Sequence, residues 1–131
     1  MAEKGFYNIL TIDDDRSIRE LLTDSLAENG YNAEAVGDGK KAIEIIKNKG
    51  FDCIVVDLKM PGMTGIDILK SVKLLDPDAM VIIMTGYASL DTAVQAIREW
   101  AYDYIIKPFR LDEMHITVRN ASPQAAEGFC G

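Results

Sequence analysis

The sequence predicts a doubly wound α/β domain, in which helices cover both faces of a five-stranded parallel sheet. Strand-like and helix-like segments alternate along the 131 residues, which is the order that parallel sheets need because each crossover usually contains a helix. The run Cys53-Ile54-Val55-Val56 is wholly apolar, as expected at the centre of a parallel sheet. Acidic residues follow two of the strand-like runs, and a lysine follows a third.

The predicted elements follow from apolar periodicity and from the residues that begin or end helices. The strands are predicted at residues 6–12, 31–36, 51–57, 81–84 and 102–106, and the helices at 16–29, 38–49, 65–75, 88–99 and 111–120. Asp15, Asp38 and Thr64 are predicted to cap the first three helices, since their side chains can accept a hydrogen bond from the first helical turn. Asn29-Gly30 and Gly50 end two of them.

The inner faces of two helices can be predicted from spacing. In the first helix they are Ile18, Leu21, Leu22, Ser25 and Leu26, and in the fourth they are Leu90, Ala93, Val94 and Ile97. Right-handed crossovers restrict how such units can be connected. We predict the strand order 2-1-3-4-5, which places the first and third strands side by side.

Residues 1–120 are predicted to form one domain, because the chain has the length of a single core. Residues 121–131 lack any periodic pattern. They are predicted to be a disordered tail, as the start of a linker or a cloning remnant.

The net charge of -7 argues against nucleic-acid binding by this chain, since a DNA footprint needs clustered lysine and arginine. No apolar stretch approaches the roughly 18 residues of a membrane span, and the amino terminus lacks a signal-peptide pattern. A cytoplasmic location, with no membrane contact, is the simplest expectation.

Three carboxylates should meet at one edge of the predicted sheet. Asp13 and Asp14 follow the first strand and Asp57 ends the third, so their side chains converge where these strands end. Two carboxylates ~4 Å apart repel by about 4 kcal/mol at an effective dielectric of 20. Oxygen ligands suit Mg²⁺, with Mn²⁺ as a second choice, and Lys107 can add a further positive charge. The competing interpretation, a solvated capping turn, explains one of these acids but not the set.

Two further residues follow neighbouring strands. Thr85 ends the fourth strand, where its hydroxyl could donate to an anionic oxygen near Asp57; a threonine there is also common in turns. Lys107 follows the fifth strand. An isolated lysine is usually a surface charge, but its position opposite several acids favours a role in the site.

Residues 6 to about 120 resemble the receiver domain of bacterial two-component response regulators. The matching motifs are Ile12-Asp13-Asp14-Asp15, Val56-Asp57-Leu58-Lys59-Met60-Pro61-Gly62-Met63-Thr64-Gly65, Met84-Thr85-Gly86 and Tyr102-Asp103-Tyr104-Ile105-Ile106-Lys107-Pro108-Phe109. Each motif is weak alone, but the four in this order are specific. The last one most resembles receivers that precede AAA+ transcriptional activators.

The resemblance implies a role for each site residue. Asp57 would accept a phosphoryl group from a phosphohistidine. Asp14, Asp57 and the main-chain carbonyl of Lys59 would bind Mg²⁺ directly, and Asp13 would act through water. Lys107 would contact the phosphoryl oxygens.

A second set of implications concerns switching. Thr85 would move to hydrogen-bond the phosphoryl group, and Tyr104 would turn inward behind it. The Lys107–Pro108 peptide is expected to be cis. The output surface would be the fourth helix, fifth strand and fifth helix.

The implied partners are a sensor histidine kinase or a histidine phosphotransfer protein, with a homodimer through the output surface as an expected assembly. Such a domain promotes its own phosphotransfer and is not a turnover enzyme. The alternative is a Mg²⁺-dependent phosphatase of the haloacid-dehalogenase type, which needs its nucleophile after the first strand. A flavodoxin-like cofactor binder is disfavoured, because the Asp13-Asp14-Asp15 loop would repel a phosphate.

Two residues near the motifs invite separate expectations. Trp100 stands where family members commonly have glycine, and it is expected either to pack against the fourth helix or to anchor a partner. Tyr87 is expected to flank the phosphoryl group and slow its hydrolysis.

Overall fold

A computed structural model describes residues 7–86 and 89–121. The elements are β1 (Asn8–Ile12), α1 (Arg16–Glu28), β2 (Asn32–Val36), α2 (Gly39–Asn48), β3 (Cys53–Asp57), α3 (Gly65–Leu75), β4 (Met80–Thr85), α4 (Leu90–Glu99), β5 (Asp103–Ile106) and α5 (Leu111–Asn120). The predicted elements are confirmed, with ends that differ by one or two residues. Of the predicted tail, all but Ala121 lies outside the described residues.

The five strands form one parallel sheet in the order β2-β1-β3-β4-β5, which confirms the predicted topology. The register aligns the ends of the central strands: Ile12 pairs with Val56, Asp57 with Met84, and Thr85 with Ile106. Residues that follow these strands therefore emerge along one edge of the sheet.

Helices bury both faces of the sheet in two apolar clusters. One cluster, which includes Leu10, Ile54 and Ile83, packs under α2, α3 and α4. The other, which includes Ile9, Val55 and Met84, packs under α1 and α5. Strand side chains alternate between the two faces, and because both faces are covered, β3 is buried along its whole length at the centre of the sheet.

The predicted caps are confirmed. The side chains of Asp15 and Asp38 accept hydrogen bonds from the main-chain N–H groups of Ser17 and Lys40. Thr64 begins α3 with a reciprocal capping box, which satisfies two otherwise unpaired donors.

The predicted inner faces of α1 and α4 are confirmed only in part. Leu21 is 42% exposed, because it lies about 100° around the helix from Leu22, on which the contact is centred. In α4 the fully buried residues are Ala93 and Ala96, whereas Val94 is only half-buried. Ala93 is therefore confirmed, and Ala96 is a small buried residue that the prediction missed.

Each helix described within residues 7–86 and 89–121 is too short or too polar to cross a lipid bilayer.

Candidate functional site

Three carboxylates from a loop and a strand end come together at the carboxyl edge of the sheet. Asp13 and Asp14 lie in the β1–α1 loop, and Asp57 is the last residue of β3. One carboxylate oxygen from each lies within 4.8 Å of the others. The structure thus brings together three of the four predicted metal ligands.

Asp13 is completely buried, and both of its carboxylate oxygens have partners. Oδ1 accepts the main-chain N–H of Asp15 at 2.9 Å, and Oδ2 accepts Lys107 Nζ at 2.7 Å. An ionised carboxylate can be buried at moderate cost only when it is paired and hydrogen-bonded in this way. Asp13 is therefore the most buried acid of the site, and its two hydrogen bonds hold its carboxylate in place.

Lys107 connects the acids across the sheet edge. Its amino group lies 2.7 Å from Asp13 Oδ2 and 3.5 Å from Asp57 Oδ1. Burial opposes the charge on Lys107, but the hydrogen bond to Asp13 and the two negative charges outweigh it and raise the pKa of the lysine. Lys107 is therefore positively charged at neutral pH. The Lys107–Pro108 peptide is cis, as expected.

Asp57 is in a less favourable environment for its charge. Burial raises the pKa of its carboxyl above the ordinary value, Lys107 lowers it, and Asp13 raises it further. A backbone hydrogen bond from Lys59 also favours the ionised form. The residue is 8% exposed, so most of the carboxylate is buried and only a small part of it meets solvent.

Asp15, the third acid of the run, does not join the cluster. Its carboxylate accepts both the N–H and the hydroxyl of Ser17, and this hydrogen bonding lowers its pKa. Helix capping thus accounts for one acid of the run, and the cluster accounts for the other two.

Thr85 is buried at the end of β4, next to the site in register. Its hydroxyl donates to the main-chain carbonyl of Gly86 at 3.0 Å, a local contact rather than one with Asp57. Tyr104, one strand further, is half-buried and packs against the α2–α3–α4 cluster. The predicted movements of these two residues stay predictions.

Trp100 ends α4 and packs against the same cluster, with Lys70 Nζ 5.2 Å from the centre of its ring. This matches the packing interpretation. Tyr87 lies outside the described residues, so the expectation for it is untested.

Sequence reasoning gave no structural role to two supporting residues. A Cβ on Gly65 would lie 2.7 Å from the main-chain oxygen of Asp57, so only glycine lets α3 begin this close to the end of β3. Arg19 Nη1 donates to the main-chain carbonyl of Asp13 at 2.9 Å. The glycine could have been found from its place at the start of a helix after a turn; the arginine's spacing gives no such signal.

The donor set fits a hard divalent cation. Carboxylate oxygens without sulfur or imidazole are the ligands that Mg²⁺ prefers. Asp14 is exposed, and Lys59 is exposed two residues after Asp57, so the side of the cluster away from Asp13 is open to solvent.

Comparison with known proteins identifies the class. The response regulator receiver domain family matches residues 9–119. The chain belongs to this family, and it is therefore a regulatory domain of the two-component type.

Several named relatives share this domain. The chain is 39% identical over 116 residues to the regulatory protein LuxO of Vibrio vulnificus, covering 88% of the chain and 26% of that protein. It is 40% identical over 114 residues to the transcriptional regulatory protein ZraR of Klebsiella oxytoca, covering 87% and 26%. The chain thus spans about a quarter of the length of the curated relatives it matches.

Solved structures agree. A response regulator receiver domain protein from Clostridium thermocellum has a TM-score of 0.84 at 32% identity, covering 88% of this chain and 93% of that one. The beryllofluoride-activated NtrC4 receiver domain dimer has a TM-score of 0.83 at 35% identity, covering 90% and 98%. The phosphatase alternative gains no support from these comparisons, and the acid at the centre of the cluster ends β3 rather than β1.

Proposed function

We propose that this chain is a phosphorylation-controlled switch that accepts a phosphoryl group from a histidine kinase or histidine phosphotransfer protein onto Asp57. The observation that carries the proposal is the single cluster at the sheet edge. Three carboxylates lie within 4.8 Å of one another, and Lys107 contacts two of them. Packing alone does not explain why a fold would gather like charges here.

Asp57 is the nucleophile in this proposal. A carboxylate oxygen forms the new bond to phosphorus as the bond from phosphorus to the donor imidazole nitrogen breaks, and the imidazole leaves as the neutral base after taking up a proton. The product is an acyl phosphate. Asp57 suits this role better than Asp13, because both oxygens of Asp13 are already occupied by Asp15 and Lys107.

The residues that would hold Mg²⁺ are Asp14, Asp57 and the carbonyl of Lys59, with Asp13 acting through water. When bound, the cation supplies positive charge that balances the carboxylates and the phosphoryl oxygens. Phosphoryl transfer depends mainly on positioning and on such charge balance. Lys107 contributes the same kind of stabilisation from the opposite side of the cluster.

The donor has a place to approach. A groove of about 340 Å³ lies beside the cluster, lined by Asp15, Ile18, Leu21, Lys107, Pro108 and Phe109. Its lining is largely apolar, and it includes the exposed Leu21. A protein donor that carries an apolar surface around its histidine could bind there with its phosphoryl group near Asp57.

The switch is proposed to act through Thr85 and Tyr104. Phosphorylation replaces one carboxylate with a group of about -1.5 to -2 charge. The new oxygens would attract the Thr85 hydroxyl away from Gly86, and Tyr104 would fill the space behind it. Such a change moves a loop and a helix between two packed arrangements rather than deforming the core.

The output is proposed to be an assembly through α4, β5 and α5. The similar NtrC4 receiver domain is a dimer when activated by beryllofluoride, and the relatives LuxO and ZraR are named as regulatory proteins. In this chain Ile116 is 49% exposed on α5, beside a groove of about 620 Å³ along β5. Regulation of transcription, in a protein that continues into an AAA+ activator, is the proposed context.

The dimer surface is tested by sedimentation of the phosphorylated Ile116→Asp variant. A monomer would support the proposed surface, and a dimer like that of the phosphorylated wild type would contradict it.

The central test is intact-mass spectrometry after incubation with acetyl phosphate and Mg²⁺. The wild type should gain one phosphoryl group, and Asp57→Asn should gain none. EDTA should prevent the gain in the wild type.

Asp52→Asn is the matched control, because Asp52 is an exposed acid at the opposite end of the same strand, where its carboxylate accepts the Asn8 main-chain N–H at 2.8 Å. It should be phosphorylated like the wild type. Equal labelling of the Asp57→Asn protein, or no labelling of the wild type, would overturn the proposal.

A further inference from the structure

Arg19 on α1 contacts the main chain of Asp13, one of the three acids of the cluster. Its side chain is half-buried, and Nη1 donates to the main-chain carbonyl of Asp13 at 2.9 Å. The main-chain N–H of Asp13 in turn donates to Val36 at the end of β2. The Asp13 backbone is thus held from both sides.

Gly37 makes room for this guanidinium. A Cβ at position 37 would lie 2.6 Å from Arg19 Nη1 and 3.1 Å from its Cζ. The guanidinium therefore packs directly on the β2–α2 loop as well as on the β1–α1 loop. Any side chain at position 37 would have to displace it.

The carbonyl that Arg19 binds belongs to the peptide between Asp13 and Asp14. The orientation of that peptide decides where the Asp14 side chain begins. The Asp14 carboxylate is exposed and makes no hydrogen bond to any residue within the ranges 7–86 and 89–121. Its position near Asp57 therefore depends on the backbone at residue 14.

We propose that Arg19 is a positioning residue for the cation site: by fixing the Asp13–Asp14 peptide, it aims the Asp14 carboxylate at the ion. The inference rests on the proposed function, because it takes the acid cluster to be a Mg²⁺ site. It adds a residue that touches neither the ion nor the phosphoryl group and acts through the backbone of a ligand.

The sign of the effect separates this role from simple electrostatics. Arg19 carries a positive charge near a site for a cation, so removing it should strengthen Mg²⁺ binding if charge alone mattered. A positioning role predicts the opposite, because a ligand that is no longer held in place must be ordered when the ion binds.

The test is titration calorimetry of Mg²⁺ into the unphosphorylated protein. Arg19→Gln should bind about 10-fold more weakly than the wild type, the lower end of the range for residues that orient metal ligands. Arg16→Gln is the control for lost charge: Arg16 lies on the same helix, its side chain is 81% exposed, and it pairs with Glu20. It should bind Mg²⁺ as the wild type does, or slightly more tightly.

Gly37→Ala tests the same contact between Arg19 and the Asp13 carbonyl without changing Arg19 itself, because the added methyl group would displace the guanidinium. Because the atom that must move is the end of a flexible side chain, the cost to folding should be small while the guanidinium is displaced. The substitution should weaken Mg²⁺ binding several-fold in the wild type and have no further effect in Arg19→Gln. Such non-additivity is the mark of two residues that share one contact.

Urea unfolding in EDTA checks that each variant is folded, and if Arg19→Gln is not, Gly37→Ala alone decides. Wild-type affinity in Arg19→Gln or Gly37→Ala, tighter binding in either, or additive losses would overturn the positioning role while leaving the proposed function intact. A wild-type protein that does not bind Mg²⁺ would instead overturn the proposed function itself, and this inference with it.

Discussion

The two edges of the sheet treat their charged residues in opposite ways. At the amino edge, Asp52 is exposed and its carboxylate accepts the main-chain N–H of Asn8. Nearby, Lys73 donates to the carbonyls of Pro77 and Ala79, which closes the loop before β4. At the carboxyl edge, by contrast, Asp13 and Asp57 are buried and close to each other.

The difference separates an edge whose charged residues stabilise the fold from an edge whose charged residues cost stability. At the amino edge, Asp52 and Lys73 each form hydrogen bonds with main-chain groups, and both side chains remain accessible to water. The carboxyl edge holds charges that repel one another in a place where water screens them poorly, which costs stability. Such a cost is expected at a functional site, and the proposed function assigns this edge a cation and a phosphoryl group.

The largest effect should come from removing the lysine of the carboxyl edge. Lys107→Met leaves the fully buried Asp13 without its charged partner, and it removes the positive charge next to Asp57. We expect the free energy of unfolding in EDTA to fall by roughly 3 kcal/mol, as for other buried pairs that lose one member. Urea denaturation measures it. A loss below about 1 kcal/mol would mean that the pairing of Lys107 with the buried acids contributes no more to stability than a surface ion pair does.

Metal addition should relieve the repulsion at the same edge. At a Mg²⁺ concentration ten times the dissociation constant, the wild type should gain about 1.4 kcal/mol in unfolding free energy, because the ion binds only the folded cluster. The measurement is urea denaturation with Mg²⁺ or with EDTA.

Asp14→Asn tests whether that gain comes from the cluster. It removes an exposed member and should abolish most of the gain, whereas Asp52→Asn at the amino edge should keep all of it. A full gain in Asp14→Asn would place the ion elsewhere.

Titration should also distinguish the edges, with a smaller effect because Lys107 partly offsets the burial of Asp57. The pKa of Asp57 is raised in the folded state, so the native protein binds this proton more tightly than the unfolded chain. Its contribution to stability is therefore present at low pH and falls as pH rises from the ordinary value of 3.8 through the raised one.

Urea denaturation in EDTA between about pH 4 and about pH 7 tests this linkage. In EDTA, the stability of the wild type relative to Asp57→Asn should decline with rising pH. In a second series with Mg²⁺ in place of EDTA the decline should be smaller, because the cation favours the ionised carboxylate. A difference that is flat or rises with pH would show that Lys107 dominates the environment of Asp57.

The carboxyl edge of this contrast could be predicted from the sequence, whereas nothing was predicted for the amino edge. Alternating segments and the apolar β3 indicated the sheet, and the strand order then brought residues 13, 14, 57 and 107 to one edge. Capping chemistry correctly separated Asp15 from its neighbours, since a side chain just before a helix has a local partner. These inferences succeeded because they depend on strand ends and on local hydrogen bonds.

The sequence could not reveal contacts that depend on exact distances between loops. Arg19 looked like one more charge on a helix, because its role requires the β1–α1 and β2–α2 loops to lie within reach of one guanidinium. The exposure of Leu21 and the burial of Ala96 likewise depend on how each helix is rotated on the sheet. Periodicity specifies a face only to within the width of its apolar stripe.

The smallest effect should come from the lysine that ends α2 toward the amino edge. Lys49 pairs with Glu34, and both side chains are well exposed, at 48% and 37%; its ammonium also lies 5.6 Å from the ring of Phe51. Lys49→Met should lower the free energy of unfolding by less than about 1 kcal/mol, since exposed pairs and exposed cation–π contacts contribute little. Mg²⁺ affinity should not change. The experiment is the same urea titration used for Lys107→Met, and a loss of similar size in both variants would show that the difference between the edges does not arise from burial of charge.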